Sequence, residues 1–299
     1  MNLLVKAASW LSLGAAVGAT AVAGAVGWTL HARRRPDLPY AFSPFEVGAE
    51  ARDISFTTSD GVPIAGWLLP RDDSDHIVIV CHGFRGSKAD MLGIGPGLWR
   101  EGHEVLLFDF RGNGDSGDGP QSLAHHEQRD LQAALDWAAR ERPTKRIAVV
   151  AFSMGSATTI CVAARDPRIE VLVLDSPFAT MSDVVRSNLA LHRFPATPLL
   201  PLANLINRIG YGYSYDEVRP IDVIHTIPPR PILILHGRAD RIIPYSHSLQ
   251  LVEAAGPGGA ELVTFETDHC GGYFQDRPGY IRRVADFLDR GFANSRPLP

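Results

Sequence analysis

Ser153 lies in Ala151-Phe152-Ser153-Met154-Gly155, between an Ile/Val-rich run and an Ala-rich, helix-compatible stretch. A sharp strand-to-helix turn that exposes a serine hydroxyl holds that residue in a poor backbone conformation. It tolerates only small neighbours two positions away, and Ala151 and Gly155 meet that demand. A serine hydroxyl becomes a nucleophile only when a base takes its proton and an acid orients the base. Among the histidines, His269 is the best base, because it sits in the Gly-rich stretch Asp268-His269-Cys270-Gly271-Gly272 after the last strand-like run. Asp240 is the first candidate for the acid and Asp175 the second, and either gives the order serine, aspartate, histidine. An oxyanion needs two backbone N–H groups. Met154, opening a helix after Ser153, supplies one, and Phe84, in the turn His82-Gly83-Phe84, supplies the other. His82 itself is expected to brace that turn.

These residues need a scaffold that brings strand ends together. Ile54–Thr58 and Val62–Leu69 read as a hairpin around Ser59-Asp60-Gly61. Continuous apolar runs follow at Ile77–Cys81, Val105–Phe108, Arg146–Val150, Val171–Leu174, Ile232–Leu235 and Glu261–Phe265. Helices are expected over Lys88–Glu101, Ser122–Arg140, Met154–Ala164 and Tyr280–Leu288. This alternation predicts an α/β fold with a mainly parallel sheet of about eight strands and helices on both faces. In such a sheet ligands sit at the carboxyl ends of the strands. Ser153, the 82–84 turn, Asp109, Asp175, Asp240 and His269 all fall there. Pro177–Asp222, with five prolines and no strand alternation, reads as a helical cap inserted in the domain, the alternative being a long crossover.

In these stretches the chain resembles the α/β-hydrolase superfamily, and within it serine aminopeptidase-like and monoacylglycerol-lipase-like hydrolases. The matching segments are His82-Gly83-Phe84, the Asp109–Gly117 loop, Ala151–Gly155, His236-Gly237-x-x-Asp240-x-x-x-Pro244 and His269 with the tail Tyr280…Phe287-Leu288. They occur in the family's order over residues 50–290. The resemblance implies Ser153 as nucleophile, Asp240 as acid and His269 as base. Two departures stand out: Ala151 replaces the first glycine of the elbow, and Asp268 precedes the base, where a carboxylate would raise a histidine pKa.

Other readings are weaker. Gly112-x-Gly114-x-x-Gly117 matches a dinucleotide fingerprint, but Asp118-Gly119-Pro120 continues as loop where a helix must open. His125, His126 and Glu127 diverge around a helix and read as a solvated first turn, not a metal site. No cofactor or metal is expected. A net charge of −4 offers no basic footprint for nucleic acid. Three cysteines at unrelated spacings leave Cys270, beside His269, as the one to test for reactivity. Residues Ala7–Leu30 form an uncharged stretch long enough to span a bilayer, followed by Arg33-Arg34-Arg35. Residues 1–35 are therefore expected to be a single-pass anchor with a cytoplasmic catalytic domain, the rival being a signal peptide cleaved near Ala21-Val22-Ala23 and a secreted protein. Residues 36–50 read as a linker and 51–299 as the catalytic domain. The expected reaction is cleavage of a carboxylic ester or thioester with a lipophilic acyl group, a small molecule or a lipid. The alternatives are an aminopeptidase, with Asp183, Asp216 and Glu217 as candidates for holding a substrate ammonium, and a membrane-tethered, non-catalytic binding protein on a hydrolase fold.

Overall fold

The Ile/Val runs form strands because their side chains are buried on both faces of one sheet, where β-branched residues pack well. The computed structural model describes residues 42–294 together with 18, 20–25, 27, 28 and 31. Its strands are β1 (Arg52–Thr57), β2 (Pro63–Leu69), β3 (His76–Cys81), β4 (Glu104–Phe108), β5 (Arg146–Phe152), β6 (Ile169–Asp175), β7 (Ile232–Gly237) and β8 (Glu261–Phe265). They form one sheet in the order β1-β2-β4-β3-β5-β6-β7-β8, antiparallel in the β1-β2-β4 part and parallel from β4 onward.

Side-chain alternation divides the core into two layers. From β3, Ile77, Ile79 and Cys81 pack with α2 (Glu127–Glu141) and α3 (Met154–Ala163), which follow β4 and β5. Val78 and Val80 face the other way, onto α1 (Gly95–Arg100) and the closing helix α8 (Arg277–Asn294). The expected helix over Lys88–Glu101 is shortened: Lys88–Leu92 is a 3₁₀ turn and only Gly95–Arg100 is α-helical. The glycines and proline at 93–97 explain the break. Between β6 and β7 lie α4 (Met181–Leu191), α5 (Ala196–Tyr211) and three short 3₁₀ turns, with no strand among them. α6 (Ser246–Ala255) precedes β8, and the short α7 (Gly272–Gln275) precedes α8.

Among the described residues no helix is long and apolar enough to cross a membrane. Most of the Ala7–Leu30 segment lies outside the described residues. The part that is described is helical, and Ala23 is buried in the main core cluster beside the cap.

Arg111, fully buried, joins the hairpin to α2. Its guanidinium donates to Asp60 at 2.8 and 2.9 Å and to Asp130 at 2.8 and 2.9 Å. That use of Arg111 and the glycine turns around it makes the Asp109–Gly117 loop a structural clasp.

The start of α2 differs from the sequence expectation. Glu127 is 2% exposed, accepting from the Ser122 N–H at 2.7 Å and the Ser122 hydroxyl at 2.5 Å. His125 stacks on the buried Tyr213 ring at 4.7 Å and His126 meets its edge. The cap covers this turn, a long-range contact no local pattern shows. Burial pushes the Glu127 carboxyl up to about 7, against the opposing pull of the Ser122 bonds. The folded protein therefore holds this proton more tightly than the unfolded chain between pH about 4.5 and about 7. The group's contribution favours the fold at low pH and is lost as pH rises through that window. Glu127→Gln should flatten the dependence: the loss of unfolding free energy from pH 5 to pH 8 should shrink by roughly 2–3 kcal/mol relative to wild type in urea titrations.

Candidate active site

Ser153 follows β5 with φ 53° and ψ −117°, a left-handed conformation that a serine adopts only under constraint from its surroundings. Those surroundings are explicit. The Ser153 N–H donates to the Asp175 carbonyl at 2.8 Å, and the Ser156 hydroxyl donates to the Ala151 and Asp175 carbonyls at 2.7 and 2.9 Å. A Cβ at Gly155 would lie 2.7 Å from the His82 carbonyl oxygen and 2.8 Å from that of Cys81. Only glycine lets α3 start this close to the end of β3. Ala151, in place of the first elbow glycine, is fully buried in β5 without conflict.

The same closeness sets the 82–84 turn over the serine, since a Cβ on Gly83 would sit 3.3 Å from Ser153 Cβ. His82, fully buried, accepts from the Phe110 N–H at Nε2 (2.9 Å), which leaves Nδ1 to donate to the Gly83 carbonyl (2.7 Å). Burial lowers its pKa. It is a brace locked in its neutral form. The Phe84 and Met154 amides enter no backbone hydrogen bond among the described residues, leaving both free for an oxyanion.

His269, after β8, lies between Ser153 and Asp240. Its Nδ1–H donates to Asp240 Oδ2 at 2.6 Å, which leaves Nε2 to accept from the Ser153 hydroxyl at 2.9 Å. Asp240 Oδ1 accepts from the Ile242 and Ile243 N–H groups at 2.8 and 2.9 Å. His236 Nε2, bonded to the Ile243 carbonyl at 2.9 Å, lies 3.2 Å from Asp240 Oδ2. Burial alone would raise the Asp240 carboxyl. The bonds from His236 and His269 outweigh it and hold the group well below the usual carboxylate range. Gly237 makes the meeting of acid and base possible: any Cβ there would come within 2.4 Å of the Thr267 and Asp268 carbonyls.

Asp175, the second candidate for the acid, is not bonded to His269. It is buried, accepting from the Tyr280 hydroxyl at 2.7 Å and the Ser176 hydroxyl at 2.9 Å, and burial raises its pKa. Asp175 therefore ties α8 to the end of β6. Burial and the neighbouring Asp175 push the Cys270 thiol well above its ordinary pKa, which disfavours the thiolate. Asp268 is exposed and forms no ion pair with His269 among the described residues. Asp109 accepts from the Lys88 amide and ammonium and from the Asp115 N–H within its own loop. His236 with its Ser248 partner (2.6 Å) and Tyr280 hold the site without having been assigned roles from the sequence. The His-Gly-x-x-Asp spacing was the one signal for the first. The grouping of possible metal ligands among the described residues, His76, His103 and Asp289 within 4.8 Å, lies at the other edge of the sheet.

Ser153 opens into a cavity of about 430 Å³ between the sheet edge and the cap. Leu123, Met154, Phe178, Val184 and Leu189 line much of it, and among the described residues no Asp, Glu, Lys or Arg does. Asp183, Asp216 and Glu217 are instead engaged in the cap's own bonds to Thr180, Ser182, Asn204 and Ser214.

Residues 76–196 match the family model described as the alpha/beta hydrolase fold. The uncharacterized protein Rv2307c of Mycobacterium tuberculosis is 32% identical over 224 residues, 73% of this chain and 71% of the relative. The chain belongs to the α/β-hydrolase superfamily. The uncharacterized protein YqkD of Bacillus subtilis is 28% identical over 233 residues, 77% of this hydrolase and 76% of the relative. Among solved structures, the Pyrococcus furiosus esterase Pf2001 is similar, with a TM-score of 0.73, 25% identity, and coverage of 87% of this hydrolase and 98% of that chain.

The two aspartates should separate in this hydrolase. Asp240→Asn should lower kcat by about 10³–10⁴-fold, by removing the acceptor that sets the His269 tautomer. Asp175→Asn should keep turnover within roughly tenfold and lower the melting temperature, an unpaired buried donor costing about 1–3 kcal/mol. Steady-state rates and thermal melts of the two variants side by side check this.

Proposed function

We propose that the protein is a serine hydrolase that cleaves carboxylic esters or thioesters of lipophilic acyl groups through an acyl-Ser153 intermediate. The observation that carries this reading is the His269 ring bonded to both Ser153 and Asp240 at the floor of an apolar cavity. In the proposed reaction His269 Nε2 takes the Ser153 proton as Oγ attacks the acyl carbonyl. The oxyanion is held by the Phe84 and Met154 amides. Collapse expels an alcohol or thiol, which leaves with the proton from His269. A water, deprotonated by the same nitrogen, then attacks the acyl-serine, and the acid and a free Ser153 hydroxyl result.

A volume near 430 Å³ is within the range of roughly 300–1,000 Å³ common for small-molecule sites. Exposed Phe194 and Ile242 at the cavity carry the apolar lining outward. Similarity to a protein named an esterase supports ester cleavage. Aminopeptidase activity is disfavoured, because among the described residues the lining has no carboxylate for an ammonium and the three acidic candidates are engaged elsewhere. The non-catalytic reading is disfavoured by the intact three-residue array.

Wild-type protein should be labelled by a fluorophosphonate and should hydrolyse p-nitrophenyl esters, and Ser153→Ala should lose both. Absence of labelling in the wild type, or undiminished labelling of Ser153→Ala, overturns the reading. Aminoacyl p-nitroanilides should turn over at least a hundredfold more slowly than the best ester.

A further inference from the structure

The cavity at Ser153 is not closed by the cap alone. Val22 and Ala25, one helical turn apart on the N-terminal helix, also line it. The helix is held there by contacts that have nothing to do with the cavity. Ala23 is 1% exposed within the main core cluster. The His31 ring stacks on Tyr211 at the end of α5, with centroids 3.5 Å apart and planes 9° from parallel. His31 Nδ1 donates to the Gly27 carbonyl of its own helix at 2.6 Å, which leaves Nε2 to accept from the buried Tyr213 hydroxyl at 3.1 Å. Gly27 lies against the Tyr211 ring, where a Cβ would be 3.6 Å away. Tyr213 in turn packs on His125. The helix is thus clasped at its far end to the cap and to the start of α2, while two of its small apolar side chains face the space above Ser153.

We propose that the N-terminal helix is a wall of the acyl site and that Val22 and Ala25 set the length of acyl chain it accepts. This rests on the reading of Ser153 as the residue that takes the acyl group. A chain extending from the carbonyl carbon that Ser153 Oγ attacks, through an apolar space, gains about three- to fourfold in kcat/KM for each methylene it seats. The gain stops where the wall stands. Alanine at 25 and valine at 22 leave room that a larger side chain would take, and the His31 clasp determines whether the wall is present.

The test uses full-length protein and p-nitrophenyl esters from acetate to laurate, read as the ratio of kcat/KM for long over short chains within each variant. Ala25→Trp and Val22→Trp should lower that ratio at least tenfold and move the optimum to shorter chains. Val22→Ala should move it to longer ones. His31→Ala, which frees the helix, should abolish the sharp optimum. Ratios within twofold of wild type in all four variants overturn the proposal. A second readout does not depend on turnover: Ser153→Ala protein should bind the fluorescent fatty acid cis-parinaric acid, and adding Ala25→Trp should weaken binding at least tenfold. Unchanged binding in that pair overturns the wall. A wild type inert to esters and to fluorophosphonate overturns the hydrolase reading instead, and the binding pair then decides the wall alone.

Discussion

The close approach of α3 to the end of β3 is the constraint on which the site depends. Gly155 packs against the Cys81 and His82 carbonyls with no room for a Cβ. That contact forces the turn from β5 into α3 to be sharp and puts Ser153 at positive φ. It also brings the 82–84 turn against the serine. A looser junction would relieve the strain and separate the hydroxyl from the amides beside it. Hydrogen bonds from Ser153 and Ser156 to the Asp175 carbonyl then pin the junction to the neighbouring strand. Such over-determination is what allows a backbone conformation costing about 1–3 kcal/mol to persist.

The buried carboxyls of Asp240, Asp175 and Glu127 are sorted by their donors. Asp240 has two backbone N–H groups on one oxygen and two imidazoles at the other, and it stays ionised in spite of burial. Asp175 has two neutral hydroxyls, and desolvation prevails. Glu127 has one hydroxyl and one amide, with the same result. The number and charge of donors, together with the shallower burial of Asp240, separate an anion that can steady an imidazolium from carboxyls that serve as hydrogen-bonding struts.

What could be read in the sequence follows the physics of each contact. The central strands were legible because burial on both faces demands unbroken Ile/Val runs, as in His76–Cys81 and Arg146–Phe152. The residues that end those runs were legible for the same reason, and so was the cap, as an interruption of the rhythm. Boundaries were less so: α2 begins at Glu127, five residues beyond its expected start at Ser122. The solvated first turn expected there is buried under Tyr213, a contact between residues far apart in the chain. Asp240 was placed ahead of Asp175 by the His-Gly-x-x-Asp pattern, since position alone does not separate two aspartates that both follow strands and both precede the histidine; the bond from His269 runs to Asp240. The docking of the N-terminal segment was invisible, because its Ala/Gly-rich composition suits a bilayer and a protein surface equally well.

That docking has a consequence for how the molecule comes into being. The cavity above Ser153 draws on Val22 and Ala25 near the start of the chain, and His269 and Tyr280 near its end are bonded into the same sheet edge. A ribosome emitting this polypeptide releases the first wall long before the last donor exists. The sheet must gain β8 at its margin before His269 can reach Ser153. The Ser153–His269–Asp240 array is therefore incomplete for most of the chain's synthesis, and a product truncated at either end would carry the serine without its full surroundings. The array closes only when β8 and the segment after it have joined the sheet.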